Sequence, residues 1–145
     1  MWKMFTGFEQ TISQGSSIHF HVRKTLTPPS NDEDDLTIVQ NYDTEVSNVG
    51  GAMDRMGGTF TAPRSGVYLL IANYFLSGCC PQSNLRLFHN NRVVINGTNA
   101  SAQEGHLSFS IVLFCRQGDR VYLVARRPGF FEGYLHFIGA LLRDE

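Results

Sequence analysis

The stretch from Gly57 to Leu76 limits the possible folds more than any other part of the chain. Thr59, Phe60, Thr61 and Ala62 alternate polar and apolar, the period of a half-buried strand. Pro63 cannot donate to a ladder, so the strand ends there. Arg64-Ser65-Gly66 can turn, with Gly66 free to take positive φ. From Val67 to Leu76 every residue except Asn73 is apolar. Alternation sets Val67, Leu69, Ile71 and Phe75 on one face and Tyr68, Leu70, Ala72, Tyr74 and Leu76 on the other. A strand apolar on both faces must be covered on both. The domain core supplies one cover. A second layer of the same chain or another subunit supplies the other.

The remaining segments also read as strands. Ile18, Phe20 and Val22 alternate with His19, His21 and Arg23, a strand with one wet face. Leu36 to Val39 forms a short strand, and Tyr42 to Asp54 is rich in turns. Leu85–Phe88 and Arg92–Ile95 flank Asn90-Asn91, a hairpin in which asparagine tolerates positive φ. Leu107, Phe109, Ile111 and Leu113 share one face of a strand that Gln117-Gly118-Asp119 ends. Val121, Leu123 and Ala125 then alternate with Tyr122 and Val124. The last strand, Tyr134 to Leu142, is again apolar on both faces. Many short strands, Pro/Gly turns and no helical periodicity predict an all-β, two-sheet antiparallel sandwich. With 145 residues the chain makes one domain with a real core. Residues 1–15 read as a lead-in or appended segment and residues 16–145 as the domain.

Composition narrows the function. Charged residues are 17% of the chain, against an average of about 25%, while aromatics reach 12%. The net charge of -1 and the lack of a basic block argue against a nucleic-acid partner. No apolar run has the length of about 18 residues that a membrane span needs. Met1 to Gln10 has no apolar core or cleavage site of a signal peptide.

The motifs of enzymes are missing. There is no Gly-x-Ser-x-Gly, no His-Glu-x-x-His and no phosphate loop, so an enzyme is not expected. Cys79, Cys80 and Cys115 make no disulfide framework, and without a paired Cys-x-x-Cys a structural zinc site is not expected. A catalytic thiol would need a nearby histidine and an electropositive setting; His89 and His106 are available on paper only, and the cysteines are expected to be structural and inert. His19-x-His21 places two imidazoles on one side of a strand, expected to be solvated rather than a zinc pair. Asn31 to Asp35 concentrates acidic groups in a loop, without the glycine and closing glutamate of an EF-hand. Asn96-Gly97-Thr98 and Asn99-Ala100-Ser101 are glycosylation sequons in polar, turn-like sequence, making Asn96 and Asn99 candidate acceptors. Arg126, Arg127, Phe130 and Phe131 form either a ligand-binding loop or a plug at the end of the sandwich.

The central stretch resembles the signature of the C1q globular head family. Asn48, Gly50, Gly51, Asp54, Gly58, Phe60, Thr61, Ala62, Pro63, Gly66 and Tyr68 match its pattern in order. Gly118-Asp119-Arg120-Val121-Tyr122 is similar to the start of a later strand of the family. Phe137-Ile138-Gly139-Ala140-Leu141-Leu142 resembles its closing strand, with Ile138 where serine is usual. The resemblance runs from about Ile18 to Leu142. It implies the jelly roll shared by C1q heads and tumour necrosis factor ligands, assembled as a homotrimer that supplies the second cover. Tyr68, Leu70, Tyr74, Phe137 and Leu141 are candidates for either the core or the three-fold contact. The resemblance also implies a secreted, non-enzymatic recognition module that binds protein or carbohydrate ligands or a cell-surface receptor through loops. The alternatives are a structural trimerisation head or a signalling ligand. Some members hold Ca2+ near the three-fold apex, and Gln103 and Glu104 occupy about that position here.

Overall fold

The computed structural model describes residues 17–26, 37–77, 83–99, 105–126 and 132–145. The lead-in segment, the acidic loop after Asn31, Cys79, Cys80, Gln103, Glu104, Arg127, Phe130 and Phe131 lie outside the described residues. Among the described residues there are eleven strands. They are β1 (His19–Leu26), β2 (Thr37–Ile38), β3 (Thr44–Val49), β4 (Met53–Asp54), β5 (Thr59–Thr61), β6 (Gly66–Ser77), β7 (Ser83–His89), β8 (Arg92–Asn99), β9 (Gly105–Cys115), β10 (Arg120–Arg126) and β11 (Glu132–Asp144). One antiparallel sheet runs β3-β1-β11-β6-β9, and the other runs β4-β5-β10-β7-β8, with β2 added to β10. This is the jelly-roll sandwich that the strand pattern and the family resemblance predict.

The two strands that are apolar on both faces lie side by side inside the first sheet. β6 pairs with β11 from Ser77–Glu132 to Gly66–Asp144. On its other side β6 pairs with β9, from Gly66–Cys115 to Leu76–Gly105. Such central strands have no edge to solvate, so alternate side chains must enter the core or the opposite face. The core takes Tyr68, Leu70, Ala72 and Tyr74 from β6 and Leu135 and Phe137 from β11. The second sheet contributes Phe60, Leu85, Leu87, Val121 and Leu123. Phe20 joins the two layers: its ring stacks on Phe60 at 5.1 Å and meets Phe137 edge-on at 5.0 Å. Burying each such ring contributes roughly 1.5–3 kcal/mol.

The motif residues act as backbone devices. Gly50 and Gly51 turn at φ 94° and 65°, and the Asn48 side chain clamps that turn by donating to the Met53 carbonyl at 2.8 Å. Asp54 Oδ1 accepts the N–H groups of Met56 and Gly57 at 3.2 and 3.1 Å. Gly58 has φ 80°, and a Cβ there would overlap the Val39 carbonyl. Tyr68 closes the turn before β6, its hydroxyl donating to the Arg64 carbonyl at 2.7 Å.

Four details are set by packing and strand pairing rather than by local sequence. Gly66 does not take positive φ; it is glycine because the Arg143 carbonyl and the Leu141 side chain occupy the space of a Cβ. Gly139 gives room to the Phe20 ring, whose atoms occupy the space of a Cβ. Residues 44–49, read as part of a turn-rich segment, form β3, which β1 holds in register from His19–Val49 to Arg23–Thr44. The sequon residues Asn96 to Asn99 belong to strand β8, not to a turn, because β7 pairs with them from Arg86–Asn96 to Ser83–Asn99.

Candidate assembly face and recognition surfaces

The face of the first sheet that points away from the core is set by four strand registers. Reading across β1, β11, β6 and β9, one row is His19, Ala140, Leu69 and Val112, and the next is His21, Ile138, Ile71 and Ser110. The third row is Arg23, His136, Asn73 and Ser108, and the fourth is Thr25, Tyr134, Phe75 and His106. At the far end Val67 lies opposite Phe114. The face is therefore apolar through its first two rows on β11 and β6, with a polar row behind them.

In the single chain this apolar surface is incompletely covered. Val67, Leu69, Ile71, Ile138 and Ala140 are half-buried. Val112, Phe114, Tyr134 and Phe75 are exposed, Val112 at 59%. Apolar side chains grouped on one sheet face are the kind of surface that association covers. Tyr68, Leu70, Tyr74 and Phe137 face the other way and are almost fully buried in the core. Leu141 is half-buried and packs against the core.

The polar groups of this face are organised around a histidine pair. His21 Nε2 lies 2.9 Å from His136 Nδ1, so one ring donates and the other accepts. His21 is thus a half-buried, bonded group rather than a freely solvated one, and its partner is His136 across the strand pair rather than His19. His136 had no signal in the sequence: the two residues are 115 positions apart. Burial, then the Arg23 charge, holds His21 below the ordinary imidazole range. Burial, then His21 and Arg23, does the same to His136. Arg23 donates to Thr44 Oγ1 at 3.2 Å and lies over the Tyr134 ring, 5.4 Å from its centre. The Ser108 hydroxyl donates to Asn73 Oδ1 at 2.6 Å.

The other surfaces are less complete. Asn96 is exposed on β8, and its Oδ1 accepts from Asn84 Nδ2 at 3.0 Å and Arg86 Nε at 3.3 Å. Asn99 ends the same strand. Arg126 ends β10, next to the undescribed Arg127, Phe130 and Phe131. The calcium candidates Gln103 and Glu104 precede β9 and are likewise undescribed. On the outer side of the second sheet an open depression of about 530 Å³ is lined by Gln40, Asp54, Thr59, Thr61 and Arg120 among others. Among the described residues no helix is long and apolar enough to cross a membrane.

Comparison with known proteins agrees with this architecture. Residues 19–139 match the model of the C1q domain family. The globular domain of zebrafish complement 1qA protein superposes with a TM-score of 0.68 at 18% identity, covering 88% of this chain and 99% of that one. Two crystal structures of murine APRIL superpose with TM-scores of 0.57 and 0.61, at 16% and 14% identity. They cover 83% and 84% of this chain and 98% of each APRIL chain. Identities this low carry the fold alone. No curated protein sequence matches the chain.

Proposed function

We infer the role of this chain from one premise: it belongs to the C1q domain family. Domains of the C1q and tumour necrosis factor type are generally non-enzymatic recognition modules and are typically extracellular and trimeric. The chain is read as a secreted homotrimeric head that recognises protein or carbohydrate ligands, or a cell-surface receptor. Residues 16–145 form the head, preceded by residues 1–15 as a lead-in or appended segment. Contacts are made through loops, with Arg126, Arg127, Phe130 and Phe131 as one recognition surface. One of Asn96 and Asn99 is its glycan acceptor. Ca2+, where it binds, is held by Gln103 and Glu104.

The observation that supports this reading is the outward face of the first sheet. Its apolar rows on β6, β9 and β11 need cover that the described residues do not supply, and copies of the chain related by a closed three-fold axis supply it without open-ended growth. Trimerisation then gives three copies of each loop, and simultaneous engagement raises apparent affinity with no new contact at any one site.

Ile71→Glu tests the reading. Ile71 lies on the outward face, between Ile138 and Ser110, so a carboxylate there leaves the core intact and opposes association. The variant is expected to run as a folded monomer in size-exclusion chromatography with light scattering. Its apparent affinity for a densely coated ligand surface is expected to fall about 10²-fold or more. An I71E protein that stays trimeric would remove this face from the interface.

A further inference from the structure

A second cluster of side chains lies where β7 ends and β9 turns into β10, away from the outward face. This end of the sandwich is firmly tied. The Asn90 N–H donates to the Arg120 carbonyl at 2.7 Å, and the Arg120 N–H donates to Asn90 Oδ1 at 2.9 Å. The Gly118 N–H donates to the Ala62 carbonyl, and the Ala62 N–H donates to the Asp119 carbonyl, each at 2.8 Å. The Asp119 carboxylate is the hub. Its Oδ2 accepts the Arg116 N–H at 2.9 Å and lies 2.8 Å from His89 Nε2, while Oδ1 accepts Asn90 Nδ2 at 3.3 Å. Cys115 sits beside this hub with no exposed surface. Its thiol sulfur, a His89 ring nitrogen and an Asp119 carboxylate oxygen all lie within 4.8 Å of one another.

A cysteine, a histidine and an aspartate are also the parts of a nucleophilic triad. The setting opposes that chemistry. Burial and then the Asp119 charge push the Cys115 thiol up to about 12, and solvent does not reach it. A thiol held in that state is inert as a nucleophile at neutral pH. Hydrogen bonding accounts for His89, Asn90 and Asp119 but makes no use of the sulfur.

We propose that Cys115, His89 and Asp119 form a binding site for a zinc ion. One sulfur, one nitrogen and one oxygen donor suit a borderline-soft cation and disfavour calcium and magnesium, which take oxygen sets. Zinc bonds such donors at about 2.0–2.3 Å, which puts tetrahedral neighbours about 3.3–3.8 Å apart. The three donors lie within 4.8 Å of one another, so a bound ion would draw them closer by up to about 1 Å and open the His89–Asp119 pair. Binding displaces the Cys115 thiol proton to solvent, against the burial and the Asp119 charge that hold it on the metal-free thiol, and moves no electron; His89 ligates as neutral imidazole. The bonds from Arg116 N–H and Asn90 Nδ2 keep the Asp119 carboxylate oriented, as outer hydrogen bonds do for metal ligands generally. The His89 and Asp119 side chains keep 22% and 19% of their surface exposed, and from that side the ion enters and a water completes the tetrahedron. The metal would staple the end of β7 to the β9–β10 turn, whatever the assembly state of the chain.

Cobalt(II) titration of the metal-free chain carrying C79S and C80S tests this, since Cys115 is then its only thiol. The expected result is one equivalent bound, tetrahedral-type visible bands and a near-ultraviolet thiolate-to-cobalt charge-transfer band, all removed by zinc. C115S in that background should abolish the charge-transfer band. H89Q keeps a donor for Asp119 on a partly exposed side chain, so it preserves the fold while weakening cobalt binding more than ~10-fold. No charge-transfer band at saturating cobalt, or binding that C115S and H89Q leave unchanged, would overturn the site and leave Asp119 as a turn cap alone.

Discussion

Gly58 and Gly118 both hold positive φ, at 80° and 90°, yet their surroundings differ. A Cβ at Gly118 meets nothing within 4 Å, whereas one at Gly58 overlaps the Val39 carbonyl. Gly118→Ala should therefore cost only the left-handed strain, about 1–2 kcal/mol. Gly58→Ala should cost clearly more, because a backbone carbonyl cannot swing aside. Urea unfolding of the two variants checks the order, and equal losses would contradict it. Tyr68→Phe removes the hydroxyl bond to the Arg64 carbonyl and should cost about 0.5–1.5 kcal/mol, read from the same midpoints. The sequence makes the turn before β6 legible through Pro63 and Gly66. It does not reveal why Gly66 must be glycine, because the obstructing Arg143 carbonyl arrives from the far end of the chain.

The pairing of β1 with β11 brings His21 to His136, and this gives the first sheet a pH response. Both imidazoles titrate below their ordinary 6.5 in the folded chain, burial being the largest cause. Between the folded pKa and 6.5 the unfolded chain binds more protons, so stability is full above about pH 6.5 and falls as pH drops through that window. His136→Asn should flatten this dependence. Unfolding midpoints measured from pH 7.5 to 5 in parent and variant test it, and parallel profiles would show that the pair contributes nothing. At this scale the sequence resolves strands by period, and β6 and β11 are plain in it. It cannot decide which face of β6 is inward: Tyr68 and Val67 faces are both apolar, and the choice depends on where Phe20, Phe60 and Val121 arrive from other strands. Nor does period reveal β3, whose Thr44–Val49 sequence is held by β1 rather than by its own pattern.

The whole molecule presents a closed core between two sheets and an apolar face on the outside of one of them. The signature residues from Asn48 to Tyr68 specify the first of these, and their legibility is high because turns and clamps are local. The second is legible only as an excess of apolar residues on Val67–Leu76 and Tyr134–Leu142, since its content depends on the register across four strands. Two further copies of the chain are proposed to cover this face. Sedimentation equilibrium of the full chain at neutral pH, with calcium and again with a chelator, tests this most directly. The mass of three chains is expected under both conditions; a trimer that loosens under chelation would add calcium at the subunit junction. A monomer at every concentration would contradict this proposal and leave the apolar rows around Leu69, Ile71 and Ile138 without the occupant proposed for them.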